Sequence, residues 1–214
     1  MATVSGIDAK DRPWFILSRW QEYEGEGRTN LLRVLAIAAY YAVHLVTYLS
    51  QAEPTDDDRT FHRLATLIAA AWLFLALAIL VSLQRRYLPA ALKYASTGMD
   101  LLLLTALAWL GRGPQSPLVL GYFVIIAAAA LRFSLPLVWI STVGAMAGYM
   151  VLVGGNDATW FDPVHDTPVA QQLTTLLSLG LSGMVLCQVL RRFRRAAEQY
   201  ASGFGASAQG GSSA

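Results

Sequence analysis

The sequence predicts an all-α polytopic membrane protein, with six transmembrane helices preceded by an N-terminal amphipathic helix that lies in the membrane interface. Three observations predict it. The 214 residues are 55% hydrophobic and only 14% charged, with a mean hydropathy of +0.45, a balance that a solvated surface rarely shows. Six apolar stretches approach the roughly 20 residues that a bilayer core of about 30 Å requires. Thirteen of the 16 Lys and Arg residues fall on one side of those stretches.

Residues 1–30 form the first element. The opening "MATVSGIDAKDRPWF" lacks the basic region and unbroken apolar core of a cleaved signal, so the first membrane helix is expected to direct insertion itself. "RPWFILSRWQEY" mixes Trp14, Phe15, Ile16, Leu17 and Trp20 with arginines, the composition of a short helix among the inner headgroups. Residues 31–190 hold the spans, at about 31–50, 64–83, 94–110, 117–131, 135–153 and 169–190, all rich in Leu, Ala, Ile and Val. The fourth is the shortest, and Pro117 suits its first turn, where a missing N–H costs nothing. Residues 191–201 prolong the last helix, and 202–214, "SGFGASAQGGSSA", read as a flexible Gly/Ser tail. No stretch is left for a soluble catalytic domain.

Loop charges set the orientation, because Lys and Arg are retained on the cytoplasmic side. Lys10, Arg12, Arg19, Arg28, Arg33, Arg85, Arg86, Lys93, Arg132, Arg191, Arg192, Arg194 and Arg195 share one side, against Arg59, Arg63 and Arg112 on the other. Both termini are therefore expected in the cytoplasm of a bacterial cell, with the chain in its inner membrane. The outer loops are acidic: "QAEPTDDDRTFHR" and "GGNDATWFDPVHDTP". The arginine cluster Arg191, Arg192, Arg194 and Arg195 reads as a topology signal and a surface for partner subunits, not as a nucleic-acid site.

Few residues carry polar chemistry inside the spans. Tyr40, His44 and Tyr48 are spaced by four and share one helix face near the middle of the bilayer. A polar stripe there must face protein or a cavity. His44 thus reads either as a contact for quinone, haem or a proton, or as a packing residue bonded to a neighbouring helix. A bis-histidine haem needs a second membrane histidine, and His62 and His165 are placed in the outer loops. Asp100 is the one acid well inside a span, where an unpaired charge is costly; Arg33, Arg132, His44 or a proton could neutralise it.

Other constellations are weaker. Asp58 and His62 sit four apart, and "DPVHD" groups Asp162, His165 and Asp166; such ligands could hold a divalent metal if the loops meet, although acidic outer loops follow from the charge asymmetry alone. "GLSG", 180–183, matches the nucleophile motif of intramembrane proteases but has no histidine downstream to activate Ser182. Small residues there, and at Gly144 and Gly148, suit close helix approach. Cys187 is the single cysteine, so there is no disulfide framework and no Cys-based metal pattern.

Several strings together carry a resemblance: "YYAVHLVTY", "RRYLPAALKYASTGMDLLLLTAL", "GPQSPLVLGYFVIIAAAALRFSLPLVWISTVGAMAGYM" and "VLRRFRRAAEQYA". Over residues 30–200 the chain resembles the six-helix membrane region that precedes the output modules of bacterial adenylate cyclases, histidine kinases and planctomycete-type protein kinases. The resemblance implies a sensing input whose last helix passes a signal onward, with His44, Asp100, "GPQSP" at 113–117 and "LRFS" at 131–134 as the positions of interest. No output module follows, which implies either a free-standing version recruited into a larger assembly or the membrane part of a longer chain. The sequence therefore predicts a non-enzymatic module for sensing or protein–protein interaction that requires no cofactor, in contact with lipid and with other membrane subunits or copies of itself. The alternative is an accessory subunit of a respiratory or photosynthetic complex. A small transporter fits less well, for want of repeated halves and of charged residues beside Asp100.

Overall fold

A computed structural model describes residues 12–53, 55–85, 89–156 and 168–210. Six α-helices follow one another: α1 (Arg12–Leu49), α2 (Asp56–Gln84), α3 (Ala90–Leu110), α4 (Gly121–Leu131), α5 (Leu135–Asn156) and α6 (Val169–Gly210), with no strand among the described residues. The helices alternate in direction, so the bundle has two ends. One carries Arg33, Arg132 and Arg191 and is termed here the basic end; the other carries Gln51, Asp57 and Asp58 and is termed the acidic end.

Four helices are long and apolar enough to cross a membrane: Glu24–Leu49, Asp56–Gln84, Leu135–Gly155 and Val169–Ala196. Their outward faces are apolar, with Val46 at 69%, Phe74 at 71% and Leu177 at 65% exposure. Such a continuous apolar belt belongs against lipid rather than water. The third and fourth expected spans differ from these. Helix α3 has the length but carries Lys93 and Asp100, and the apolar helix Pro117–Leu131 spans fewer than 18 residues.

Helix α1 has no boundary at residue 30. It runs through Gly25 and Gly27 without interruption, and Glu26, Thr29, Asn30 and Arg33 are all buried in the bundle. Residues 24–30, assigned with the preceding stretch to a cytoplasmic segment ahead of the spans, are thus part of the packed helix; the side chains of the expected anchor, residues 12–23, lie outside the described residues. The cause is a charge pair: Glu26 meets Arg132, at the start of the α4–α5 turn, and burial holds the segment against the bundle. Helix α6 also outruns expectation, since its backbone stays helical to Gly210, across most of the stretch read as a flexible tail.

Local chemistry sets the other boundaries. Helix α2 opens on a capping box, in which Asp58 N–H donates to Thr55 Oγ1 (3.2 Å) and Thr55 N–H donates to the Asp58 carboxylate (3.0 Å). Between α3 and α4 lie two short 3₁₀ turns, Gly113–Gln115 and Pro117–Leu120. Gly113 supplies the positive φ of 56° that the first needs, and Ser116 caps the second by accepting from Leu118 N–H (3.3 Å). The α4–α5 turn places Phe133 at φ 50°, a conformation a non-glycine residue adopts only under strain.

Helix α4 is the axis of the molecule. It packs against α1, α3, α5 and α6 and buries Tyr122, Ile125, Ile126 and Ala129. A helix apolar all round belongs in a core. Around it, Leu104, Leu137, Val138, Tyr149, Leu152 and Leu179 complete the packing. Small residues bring backbones together here: a Cβ at Gly183 would collide with Thr142, and one at Gly148 with Thr105 and Tyr122.

Candidate functional site

Helix α1 carries a seam at alternating steps of four and three: Glu26, Asn30, Arg33, Ile37, Tyr40, His44. Each of these is buried or half-buried. Helix α2 answers with His62, Ala65, Ala69, Trp72, Ala76 and Ile79, whose alanines let α1 approach. At the basic end α1 also meets α4, where Gly25 lies against the backbone of Leu131 and Arg132 and Thr29 Oγ1 donates to Ala128 O (3.3 Å). Farther along, α1 and α4 are separated by a partly open cavity of about 750 Å³. It is bounded by α1, α2, α3 and α4 and reaches from Thr29 to Tyr48 on α1, a rise of about 29 Å at 1.5 Å per residue.

A buried ion pair closes the basic end. Arg33 donates from Nε to Asp100 Oδ1 and from Nη2 to Asp100 Oδ2, both at 2.7 Å, with side-chain exposures of 4% and 11%. Trp72 Nε1 donates to Asp100 Oδ1 (2.7 Å), and Arg33 Nη1 donates to Asn30 Oδ1 (2.8 Å). Asn30 in turn donates to Ala76 O (3.1 Å). Asp100 is therefore neutralised by Arg33, and neither Arg132 nor His44 pairs with it.

Arg132 serves a second pair. Its Nη2 donates to Glu26 Oε1 (2.7 Å) and Ser96 Oγ (3.1 Å), and its Nη1 donates to Thr97 Oγ1 (2.6 Å) and Lys93 O (3.1 Å). Charge buried with its partner and with further hydrogen bonds is tolerated; charge left alone is not.

Toward the acidic end the cavity is walled by Tyr40, His44 and Tyr48, the stripe expected from their spacing. His44 has a partner the sequence placed elsewhere. Helix α2 starts at Asp56, so His62 lies on its second turn rather than in an outer loop, and its Nδ1 sits 3.2 Å from His44 Nε2. One ring donates and the other accepts, according to tautomer. Tyr48 stacks on His62 at 4.2 Å and 6°, Phe61 meets His44 edge-on, and Tyr41 Oη shares a hydrogen bond with Thr66 Oγ1 (3.1 Å). The two imidazoles touch directly, so they do not flank a gap in which a porphyrin could sit between them.

The metal set expected from the outer loops does not assemble among the described residues, where no three His, Cys, Asp or Glu side chains converge. Asp58 is engaged by Thr55 and His62 by His44, while Asp162, His165 and Asp166 lie outside the described residues. Ser182 donates to Ser178 O in its own helix (2.7 Å), as a packing residue does. Arg191, Arg192, Arg194 and Arg195 are exposed on α6.

Glu26, Asn30 and Trp72 were not anticipated. The signal was present for the first two, since the four–three spacing of the α1 seam continues backwards from Arg33 through Asn30 to Glu26. No protein-family model, curated protein or solved structure matches the chain.

Proposed function

We propose that the chain is a non-enzymatic, six-span module of a bacterial cytoplasmic membrane, one that binds a small molecule between α1 and α4 and reports its presence to partner proteins through the basic end of α6. The cavity carries this reading. It is within the usual size of a ligand site, predominantly apolar, with a few convergent polar groups and a rigid, ion-paired floor. The charged and imidazole groups that line it are engaged, Asp100 with Arg33 and Trp72 and His44 with His62.

Six crossings are supported by what α3 and α4 do with their liabilities. The charge of Asp100 is cancelled by Arg33, which leaves α3 apolar where lipid would meet it. Helix α4 is sheltered by four neighbours, so the bilayer thickness need not be matched by its own length. An even number of crossings puts both termini on the arginine-rich side, the cytoplasm by the positive-inside rule.

Coupling is tested by distance. Spin labels at Arg28 on α1 and Arg194 on α6, in the protein reconstituted in lipid nanodiscs, are compared with and without Ala69→Trp, which fills the cavity. A changed distance distribution supports transmission from cavity to α6. An unchanged distribution in a variant that melts like the wild type removes it.

A further inference from the structure

The two walls of the cavity differ in kind. Helices α1 and α2 supply rings, Tyr40, Tyr41, His44, Tyr48, Phe61 and Trp72; α3 and α4 face them with Leu104, Leu107, Val124 and Ile125. Most polar atoms of the aromatic wall are already spoken for: Tyr41 by Thr66, His44 by His62, Trp72 by Asp100. The hydroxyls of Tyr40 and Tyr48 make no hydrogen bond among the described residues. Tyr40 lies one turn from His44, deep within the apolar helix Glu24–Leu49. An unmatched hydroxyl in such surroundings is costly, by an amount comparable to a lost hydrogen bond.

That depth discriminates between amphiphiles. A bilayer phospholipid keeps its oxygens in the headgroup layer and offers only methylene at the level of Tyr40. A molecule that satisfies this wall needs oxygen atoms inside the hydrocarbon region, a flat ring to lie on tyrosine and imidazole faces, and an apolar remainder for the leucine wall. A quinone or quinol with a long hydrocarbon tail has all three.

We infer that the cavity binds a tailed quinone or quinol, its ring beside Tyr40, His44 and Tyr48 and its tail against Leu104, Leu107 and Val124. A quinone carbonyl accepts from the Tyr40 hydroxyl, and a quinol hydroxyl donates to the same oxygen, so one residue serves both forms. The ligand is bound and released unchanged. This assignment rests on the reading of the cavity as a ligand site within a membrane.

The experiment uses the full chain in nanodiscs of a single phospholipid without quinone, titrated with decyl-tailed benzoquinone and, separately, with decylbenzene, which has the same tail and no oxygen. Bound probe is measured after rapid separation of the discs, against empty discs for partition into lipid. The expected result is saturable binding of the quinone above that of decylbenzene, weakened about five- to tenfold in Tyr40→Phe and lost in Ala69→Trp. Tyr40→Phe keeps the ring and removes one oxygen, so it isolates the hydrogen bond without endangering the fold. Equal binding of both probes, unchanged in Tyr40→Phe but lost in Ala69→Trp, overturns the quinone assignment and leaves a cavity for hydrocarbon chains. Binding of neither probe above empty discs overturns the cavity reading with it.

Discussion

Arg33 on α1 and Asp100 on α3, 67 positions apart in the chain, meet as a two-toothed fork with both N–O distances at 2.7 Å. The pair is shared by a third helix, because α2 contributes Trp72 to the carboxylate and the Ala76 carbonyl to Asn30. Three helices are thereby fixed at one level by a single set of hydrogen bonds. Bidentate geometry with its surroundings satisfied is the condition under which buried charge becomes a positional device.

Removing one member should therefore cost far more than removing both. Asp100→Ala strands the Arg33 guanidinium and is expected to destabilise the detergent-solubilised protein by about 3–5 kcal/mol. The double change Arg33→Met with Asp100→Leu is expected to recover most of that loss. Reversible chemical unfolding followed by circular dichroism measures both, and a double variant as unstable as Asp100→Ala contradicts the argument.

Two glycines of the "GLSG" stretch should respond oppositely to the same substitution. A methyl at Gly183 collides with Thr142, so Gly183→Ala is expected to cost about 1–3 kcal/mol through overpacking. At Gly180 the nearest atom to an added Cβ is Met146 Sδ at 3.8 Å, an ordinary contact, and Gly180→Ala should be neutral or stabilising. Thermal melting of the two variants side by side decides the matter.

The direct bond between His44 and His62 has a spectroscopic signature. In protein labelled with ¹⁵N-histidine, the Nε2 of one ring and the Nδ1 of the other should show through-hydrogen-bond coupling, and His62→Gln should abolish it. Persistence of the coupled pair in that variant would place the bond elsewhere.

Chemical labelling tests the orientation. In a Cys187→Ser background, Gln51→Cys should react with a membrane-impermeant maleimide in intact cells, and Arg195→Cys only after permeabilisation. The reverse pattern would invert the topology.

Hydropathy sufficed to locate the six helices, four of them long and apolar enough to cross a membrane, because each carries an uninterrupted apolar run. What escaped them was contact between elements. Asp100 was recognisable as a charge needing neutralisation, yet Arg33, Arg132, His44 and a proton all stayed open until Arg33 was seen on the α1 seam. His62 was misplaced because "QAEPTDDDRTFHR" reads as polar loop; the Thr55–Asp58 capping box within it was the available sign that a helix begins at Asp56 and carries His62 along. Glu26 was lost in a similar way, since aromatic and basic neighbours resemble an interfacial helix and only the continued four–three spacing reveals a buried face. The cavity had no linear signature beyond Tyr40, His44 and Tyr48, as its other wall comes from helices more than 50 residues away.

The two acid–base pairs of α1 also set a timetable. Each takes its second member from chain that emerges later, Asp100 after 67 residues and Arg132 after 106. At roughly 5–20 residues per second that is a delay of several seconds to some twenty, during which Arg33 and Glu26 lack the partners that later bury them. Helix α1, made before the other five, is thus among the last of the six to find its final seat.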